Sequence, residues 1–341
     1  MQKYNDTKQP CFDDILMVPQ YSKVMSRSEI DLRMPFGKNT HLEFPVVASP
    51  MDTVCEYDMA VSMAKAGGIG IIHRFMEIDK QCDMVAKIVK NSLVVGAAVG
   101  AKGSYLEDAR KLVYAGASLI LIDTANGHSE YAISAVSNLR KNFPDIHIMA
   151  GNVSTAIGFK TLSEAGADSI RVGIGGGSVC TTRLVSGHGM PTLASIINIK
   201  EYKNLSGCTT SIVADGGIRN TGDMIKAFAA GADVVMLGSM LSGTDESPGS
   251  IRIDATGKYK SFRGMASKEA NEGKDIPIAE GVATRVAYKG SVSDILTHIR
   301  GGLGSGCSYS GEHNLRDLCE GSLYIEVSSL SVSESKPHAL G

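Results

Sequence analysis

Short runs of β-branched and aliphatic residues recur at Pro45 to Ala48, Gly70 to His73, Val94 to Ala98, Ser118 to Asp123, Ile146 to Gly151, Ser169 to Gly173, Ser211 to Asp215 and Asp233 to Gly238. Each ends in a polar or glycine-bearing turn, and amphipathic segments such as Asp58 to Lys65, Tyr105 to Tyr114 and Gly222 to Ala230 lie between them. Near-continuous apolar strands alternating with helices predict a parallel sheet covered on its outside. Eight such units within about 200 residues fit a (β/α)8 TIM barrel of the α/β class better than a doubly wound sheet, which usually has about five to seven strands.

Past the eighth run, residues 243–290 read as an irregular excursion. It holds Gly243-Thr244-Asp245-Glu246-Ser247-Pro248-Gly249 and a charged stretch from Ser267 to Lys274, and a long excursion at this end of a barrel is commonly a lid or flap. Ser293 to Leu303 predicts the helix that closes the barrel. The Ser-rich tail, Ser328 to Gly341, has too little apolar content to fold alone and is expected to be frayed or docked on a neighbour. Residues 1–341 are therefore expected to form one barrel, with a flap within 243–290 and a C-terminal extension at 328–341.

In such barrels the C-terminal ends of the strands carry the chemistry. Here those ends are Ser49-Pro50-Met51-Asp52, His73-Arg74, Asp123-Thr124-Ala125-Asn126, Gly151-Asn152, Gly173 to Arg183, Asp215-Gly216-Gly217 and Gly238-Ser239. The run Gly173-Ile174-Gly175-Gly176-Gly177-Ser178-Val179-Cys180-Thr181-Thr182-Arg183 sets one cysteine between a glycine-rich loop and two hydroxyls. Glycines let backbone wrap an anion, and a thiolate is a strong nucleophile at neutral pH. Covalent catalysis on an anionic substrate follows as the expectation, although a turn beside a buried cysteine has the same appearance. A dinucleotide fingerprint fits poorly, since this approximate GxGxxG lies mid-chain rather than after the first strand.

Composition narrows the picture. The 341 residues are 43% hydrophobic, ample for a sizeable core, and the net charge of -2 gives no basic footprint for nucleic acid or a membrane surface. No apolar stretch approaches the ~20 residues of a membrane span, and the first residues lack a signal-peptide core, so a cytoplasmic protein is expected. Seven cysteines, with no CxxC or Cys/His ligand spacing, give no disulfide framework or zinc site. Thirty-eight glycines without a repeat point to tight turns and backbone contacts with ligands.

Along nearly its full length the chain resembles the IMP dehydrogenase/GMP reductase family. The resemblance is carried by Phe12-Asp13-Asp14-Ile15-Leu16-Met17-Val18-Pro19, Met51-Asp52-Thr53-Val54, Gly67 to His73, Gly151-Asn152-Val153, the cysteine run, Ala214-Asp215-Gly216-Gly217, Gly238-Ser239-Met240 and Arg263-Gly264-Met265. Many dehydrogenases of the family insert regulatory CBS modules after the second strand. Arg74 and Val94 are too close in sequence to hold them.

The resemblance implies that Cys180 attacks carbon 2 of a purine nucleotide such as GMP or IMP to give a covalent thioimidate, with Thr182 and Glu280 relaying protons. It implies substrate contacts from Ser49, Ser178, Asp215, Gly216, Gly217, Gly238, Ser239, Arg263, Gly264, Met265 and Ala266. Within that set, the amides of Ser178, Gly217, Gly238 and Ser239 would hold the 5'-phosphate, and Asp215 would accept both ribose hydroxyls. Asp123, Asn152, Arg171 and Gly173 are implied for a nicotinamide cofactor. The carbonyls of Gly175, Gly177 and Cys180 would form half of a monovalent-cation (K+) site, which Lys336 would oppose. A homotetramer is implied as well. Glu280 stands ten residues before Gly290 as the family pattern asks, with Glu272-Gly273 as a competing alignment.

Two reactions share this cysteine. A dehydrogenase, taking IMP to XMP with NAD, hydrolyses its adduct with the help of a flap Arg-Tyr pair. A reductase, taking GMP to IMP with NADPH, releases ammonia. Only fourteen residues separate Met265 from Glu280, and no Arg-Tyr occurs in the chain. Phe262 replaces the tyrosine with which dehydrogenases usually bind phosphate, and Ser26 to Leu32 is similar to reductase N-termini. Gly243 to Gly249, Tyr259-Lys260-Ser261 and Glu334 to His338 look like the dehydrogenases instead. The missing pair bears on a required step, so NADPH-dependent GMP reduction is the expectation, IMP dehydrogenase the alternative, and a non-catalytic nucleotide-binding protein the third possibility.

Overall fold

Eight runs buried at nearly every position form the parallel strands β1 (Val46–Ala48), β2 (Ile69–Ile72), β3 (Gly96–Val99), β4 (Leu119–Asp123), β5 (His147–Val153), β6 (Ser169–Val172), β7 (Ser211–Asp215) and β8 (Val234–Leu237). Each pairs with the next, and β8 pairs with β1 to close the barrel. This is a (β/α)8 TIM barrel. The computed structural model describes residues 8–37, 40–271 and 278–337.

Alternation along each strand sorts its side chains into two cores. Val47, Ile71, Leu119, Leu121, Met149 and Val213 fill the barrel interior, whereas Ile120, Ile122, Ile148 and Ile212 face the helices. Those helices are α1 (Tyr57–Lys65), α2 (Ile78–Lys90), α3 (Tyr105–Tyr114), α4 (Glu130–Asn142), α5 (Ala156–Glu164), α6 (Thr192–Ser206), α7 (Thr221–Ala229) and α8 (Val292–Ser310). Between β2 and β3 lies α2 alone, so the CBS insertion point holds a single helix. No helix among the described residues is long and apolar enough to cross a membrane.

The closing helix runs seven residues beyond the expected Leu303. Its glycines hid it from the apolar pattern, yet they let it approach α7. A Cβ at Gly302 would stand 2.6 Å from Thr221 Oγ1, and one at Gly306 would collide with Ile225.

The flap is less irregular than expected. Strands Arg252–Asp254, Gly257–Arg263 and Ala283–Ala287 form a three-stranded antiparallel sheet. Its alternation is obscured by charged residues on both faces, since little of it is buried beyond Lys260 and Phe262. A second departure is a strand at Ile15–Val18 that pairs with Leu323–Glu326. The tail then makes one exposed turn of helix, Ser331–Glu334. The charged stretch beyond Asn271, the competing Glu272-Gly273 and the chain end from His338 lie outside the described residues.

At the N-terminal mouth, a hairpin of Met34–Pro35 and His41–Leu42 adds Phe36 and Leu42 to the interior core. Phe36 stacks on His147 with centroids 4.3 Å apart, and His147 Nε2 shares a 2.8 Å hydrogen bond with Ser169 Oγ. Burial, the largest cause, lowers the His147 pKa from 6.5 to about 4. The folded protein therefore keeps this ring neutral while the unfolded chain takes up a proton below about pH 6.5. Stability present above that pH is expected to fall by about 2–3 kcal/mol as pH drops towards 4. Chemical denaturation across that range checks this, and in His147→Phe this part of the acid sensitivity should disappear.

Candidate active site

The strand that leaves the flap runs beside the cysteine loop. Cys180 and Gly281 form an antiparallel bridge, Thr181 N–H donates to Glu280 O at 3.0 Å, and Val282 N–H donates to Val179 O at 3.0 Å. These backbone bonds seat Glu280 against residues far away in sequence. Cys180 Sγ donates to Thr182 Oγ1 at 3.2 Å, and that hydroxyl donates to Glu280 Oε2 at 2.8 Å. Thiol, hydroxyl and carboxylate thus stand in series, an arrangement that can move a proton between a nucleophile and a general base. The two fully buried thiols are poor nucleophiles: burial pushes Cys307 up to about 12 and Cys55 higher still.

Across the cavity, four consecutive strand ends contribute a charged network. Arg171, 8% exposed on β6, donates from Nη1 to Asp123 Oδ1 at 2.6 Å and from Nη2 and Nε to Asp215 Oδ2 at 2.9 and 3.1 Å. Asn152 Nδ2 reaches the same Asp215 Oδ2 and the Gly173 carbonyl, both at 2.8 Å. Asp215 Oδ2 is therefore engaged by three donors. Its Oδ1 has no partner among the described residues, so a ligand hydroxyl meets one open carboxylate oxygen rather than two. Asn152 and Arg171, implied for the cofactor, here also hold Asp215 in place, and Asp123 anchors Arg171.

One cavity of about 310 Å³ at the C-terminal ends of the strands gathers these groups. Ser49, Gly238 and Ser239 line it from β1 and β8, Gly216 and Gly217 from β7, and Ser178 from the cysteine loop. Gly264, Met265 and Ala266 line it from the flap. Gly173 packs so tightly that a Cβ there would strike the Asp215 carbonyl. Arg263 is the exception among the expected substrate contacts. It is absent from the lining and pairs with Asp52, Nη2 to Oδ2 at 2.5 Å and Nε to Oδ2 at 2.9 Å, tying the flap to the loop after β1. A bidentate carboxylate partner has captured the guanidinium.

Sequence reasoning missed Phe75, Ile218 and Met236, apolar lining residues with no polar signature of their own. The expected cation carbonyls, Gly175, Gly177 and Cys180, lie in the same loop. Gly177 O already accepts Cys180 N–H at 3.1 Å, and the Arg183 side chain packs against Gly175. These three carbonyls alone would make an incomplete shell for a monovalent cation, with the Arg183 side chain close by. Among the described residues no cluster of His, Cys, Asp and Glu is arranged to hold a metal ion.

A family model described as IMP dehydrogenase / GMP reductase domain matches residues 9–338. The chain belongs to the IMP dehydrogenase/GMP reductase family. Similar family members include an inosine-5'-monophosphate dehydrogenase of Nitrosopumilus maritimus, 33% identical over 96% of this chain and 97% of that protein. A GMP reductase of Leishmania major is 31% identical, covering 96% of each. Among solved structures, a cysteine-to-alanine variant of GMP reductase from Trypanosoma brucei in complex with guanosine 5'-monophosphate superposes with a TM-score of 0.92, at 29% identity over 98% of both chains. Both activities of the family are thus represented among close relatives, and family membership establishes an oxidoreductase of purine metabolism without choosing the reaction.

Proposed function

We propose that this chain is a GMP reductase that converts GMP to IMP and ammonia with NADPH. What supports this reading is that, among the described residues, no guanidinium-phenol pair that would activate water lies beside Cys180. No tyrosine lines the described cavity, and its arginines, Arg74 and Arg171, are both bonded to Asp123. Of the arginines nearer the flap, Arg263 is held by Asp52, Arg183 donates to Met190 O at 2.9 Å, Arg285 pairs with Asp254, and Arg252 is exposed on a flap strand outside the cavity lining. Hydrolysis of an adduct would lack the Arg-Tyr pair with which the family's dehydrogenases activate water; loss of ammonia needs only the proton carrier that Thr182 and Glu280 supply.

In this mechanism Cys180 Sγ bonds to carbon 2 of GMP, and its proton passes through Thr182 Oγ1 to Glu280. The 2-amino group takes up a proton from the same carboxyl and leaves as ammonia, giving the thioimidate. Arg74, Phe75, Asp123 and Asn152 line the side of the cavity that would hold NADPH, which would supply a hydride to carbon 2 when bound. The Cys180 thiolate then leaves and IMP is free. A flat ring at Phe75, with the Arg74 guanidinium 4.7 Å over its centroid, suits a planar cofactor ring. Asp215 Oδ1 positions the ribose.

Glu280→Gln keeps a hydrogen-bond acceptor but no base, so kcat is expected to fall by about 10²- to 10⁴-fold with a smaller change in KM. Steady-state rates across pH check this. The reaction itself is tested by nicotinamide absorbance: NADPH oxidation with GMP and ammonia release supports the reductase. NAD reduction with IMP would instead assign the dehydrogenase, and nucleotide binding with neither signal would make the chain a non-catalytic binder.

A further inference from the structure

The turn after β8 presents Gly238 and Ser239 to the cavity, and Lys289 grips its other side. Nζ donates to Ser239 O at 2.6 Å and to Met240 O at 3.2 Å. The lysine is aimed by its backbone: its N–H donates to Gly243 O at 2.9 Å, and Gly290 O accepts from Asp245 N–H at 2.9 Å. Tyr288, one residue earlier, donates its hydroxyl to Asp245 Oδ1 at 2.7 Å. A side chain held from both flanks reaches the turn with little freedom left to lose on binding.

This ammonium has no carboxylate partner among the described residues. The acids close by in sequence are engaged elsewhere, Asp245 with Tyr288 and Glu246 with Ser291 Oγ and the Val292 N–H. Lys289 is exposed at the surface, and partial desolvation by the turn lowers its pKa with no acid to offset it. Two carbonyls hydrogen-bond the charge without neutralising it. The N–H groups of these two peptides belong to Met240 and Leu241, and Leu241 N–H donates back to Gly238 O at 3.0 Å, so the grip fixes the shape of the turn that carries Gly238 and Ser239. Phe262, which also lines the cavity, offers an anion no donor.

We propose that Lys289 is a positioning residue for the substrate's phosphate: it fixes the Gly238–Ser239 turn and supplies the counter-charge that the phosphate dianion meets across that turn. The proposal rests on the nucleotide reading above and adds a residue outside the cavity lining. It assigns the charge, rather than the two hydrogen bonds alone, as the contribution to affinity.

Calorimetric titration of GMP and of guanosine into the parent protein and into Lys289→Arg, Lys289→Gln and Lys289→Met tests it. Arg keeps the charge, Gln keeps a donor for the carbonyls without charge, and Met keeps neither. GMP is expected to bind about tenfold more weakly to the Gln and Met variants, while Arg stays close to the parent. Guanosine, lacking the phosphate, should bind all four proteins alike, and the KM for GMP should rise in step with the loss of affinity. Equal GMP affinity in Lys289→Gln and the parent would overturn the proposal, leaving the lysine a neutral clamp. So would guanosine losing as much as GMP, which signals a damaged site. A parent protein that fails to prefer GMP over guanosine defeats the nucleotide reading itself, a result visible before any variant is made.

Discussion

Cys180→Ala is expected to lower turnover by about 10⁴-fold or more while GMP still binds. Among the described lining residues Cys180 supplies the thiol, a group that can form a covalent bond and then leave, and its proton has a route through Thr182 to Glu280. Alanine removes the nucleophile without disturbing the backbone bonds of Thr181 and Val282 that hold the loop against the flap strand. Ground-state contacts from Asp215 and the glycine turns are untouched, so affinity should change far less than rate. NADPH oxidation measured beside GMP titration separates the two. Turnover retained in the alanine variant would remove the covalent mechanism. Cys180→Ser should restore little, because a hydroxyl is a weaker nucleophile near neutral pH.

Arg171→Leu is expected to cost about 3–5 kcal/mol of folding stability. The guanidinium stands between Asp123 and Asp215, both only 16% exposed at their side chains. Leucine fills part of the volume but leaves two carboxylates facing each other across an apolar gap with their shared cation gone. Arg171→Lys recovers only part of the loss, since a point charge cannot make the three directed contacts of the planar fork. Urea denaturation of the three proteins measures this. A loss below about 1 kcal/mol in the leucine variant would show that water, not Arg171, compensates these acids. Weaker GMP binding should accompany the change, because Asp215 loses two of the contacts that orient it.

Much of this was legible in the chain because it depends on local pattern. The eight apolar runs coincide with the barrel strands, since a strand buried on both faces leaves a continuous signal. Cys180 and Thr182 share one loop, and the glycines around them report backbone that side chains would block. The Arg171 network was harder to foresee. Asp123, Asn152, Arg171 and Asp215 end β4, β5, β6 and β7, so barrel order made them neighbours, but register and side-chain direction chose the partners. Arg263 shows the same limit from the other side: its motif suggested a ligand contact, and Asp52, carried on the loop after β1, took it. The flap sheet escaped notice because a mostly solvated sheet needs no alternating apolar face. The last turns of α8, past Leu303, were missed because Gly304 and Gly306 interrupt the apolar pattern, and it is the close approach of Gly302 and Gly306 to α7 that uses them.

Intact-mass spectrometry of protein acid-quenched during turnover with GMP and NADPH examines the chemistry most directly. The expected species is the chain heavier by GMP less ammonia, mapped to the peptide containing Cys180 and missing from Cys180→Ala. An unmodified chain during steady NADPH consumption, or an adduct on any other residue, would contradict reductive deamination through Cys180.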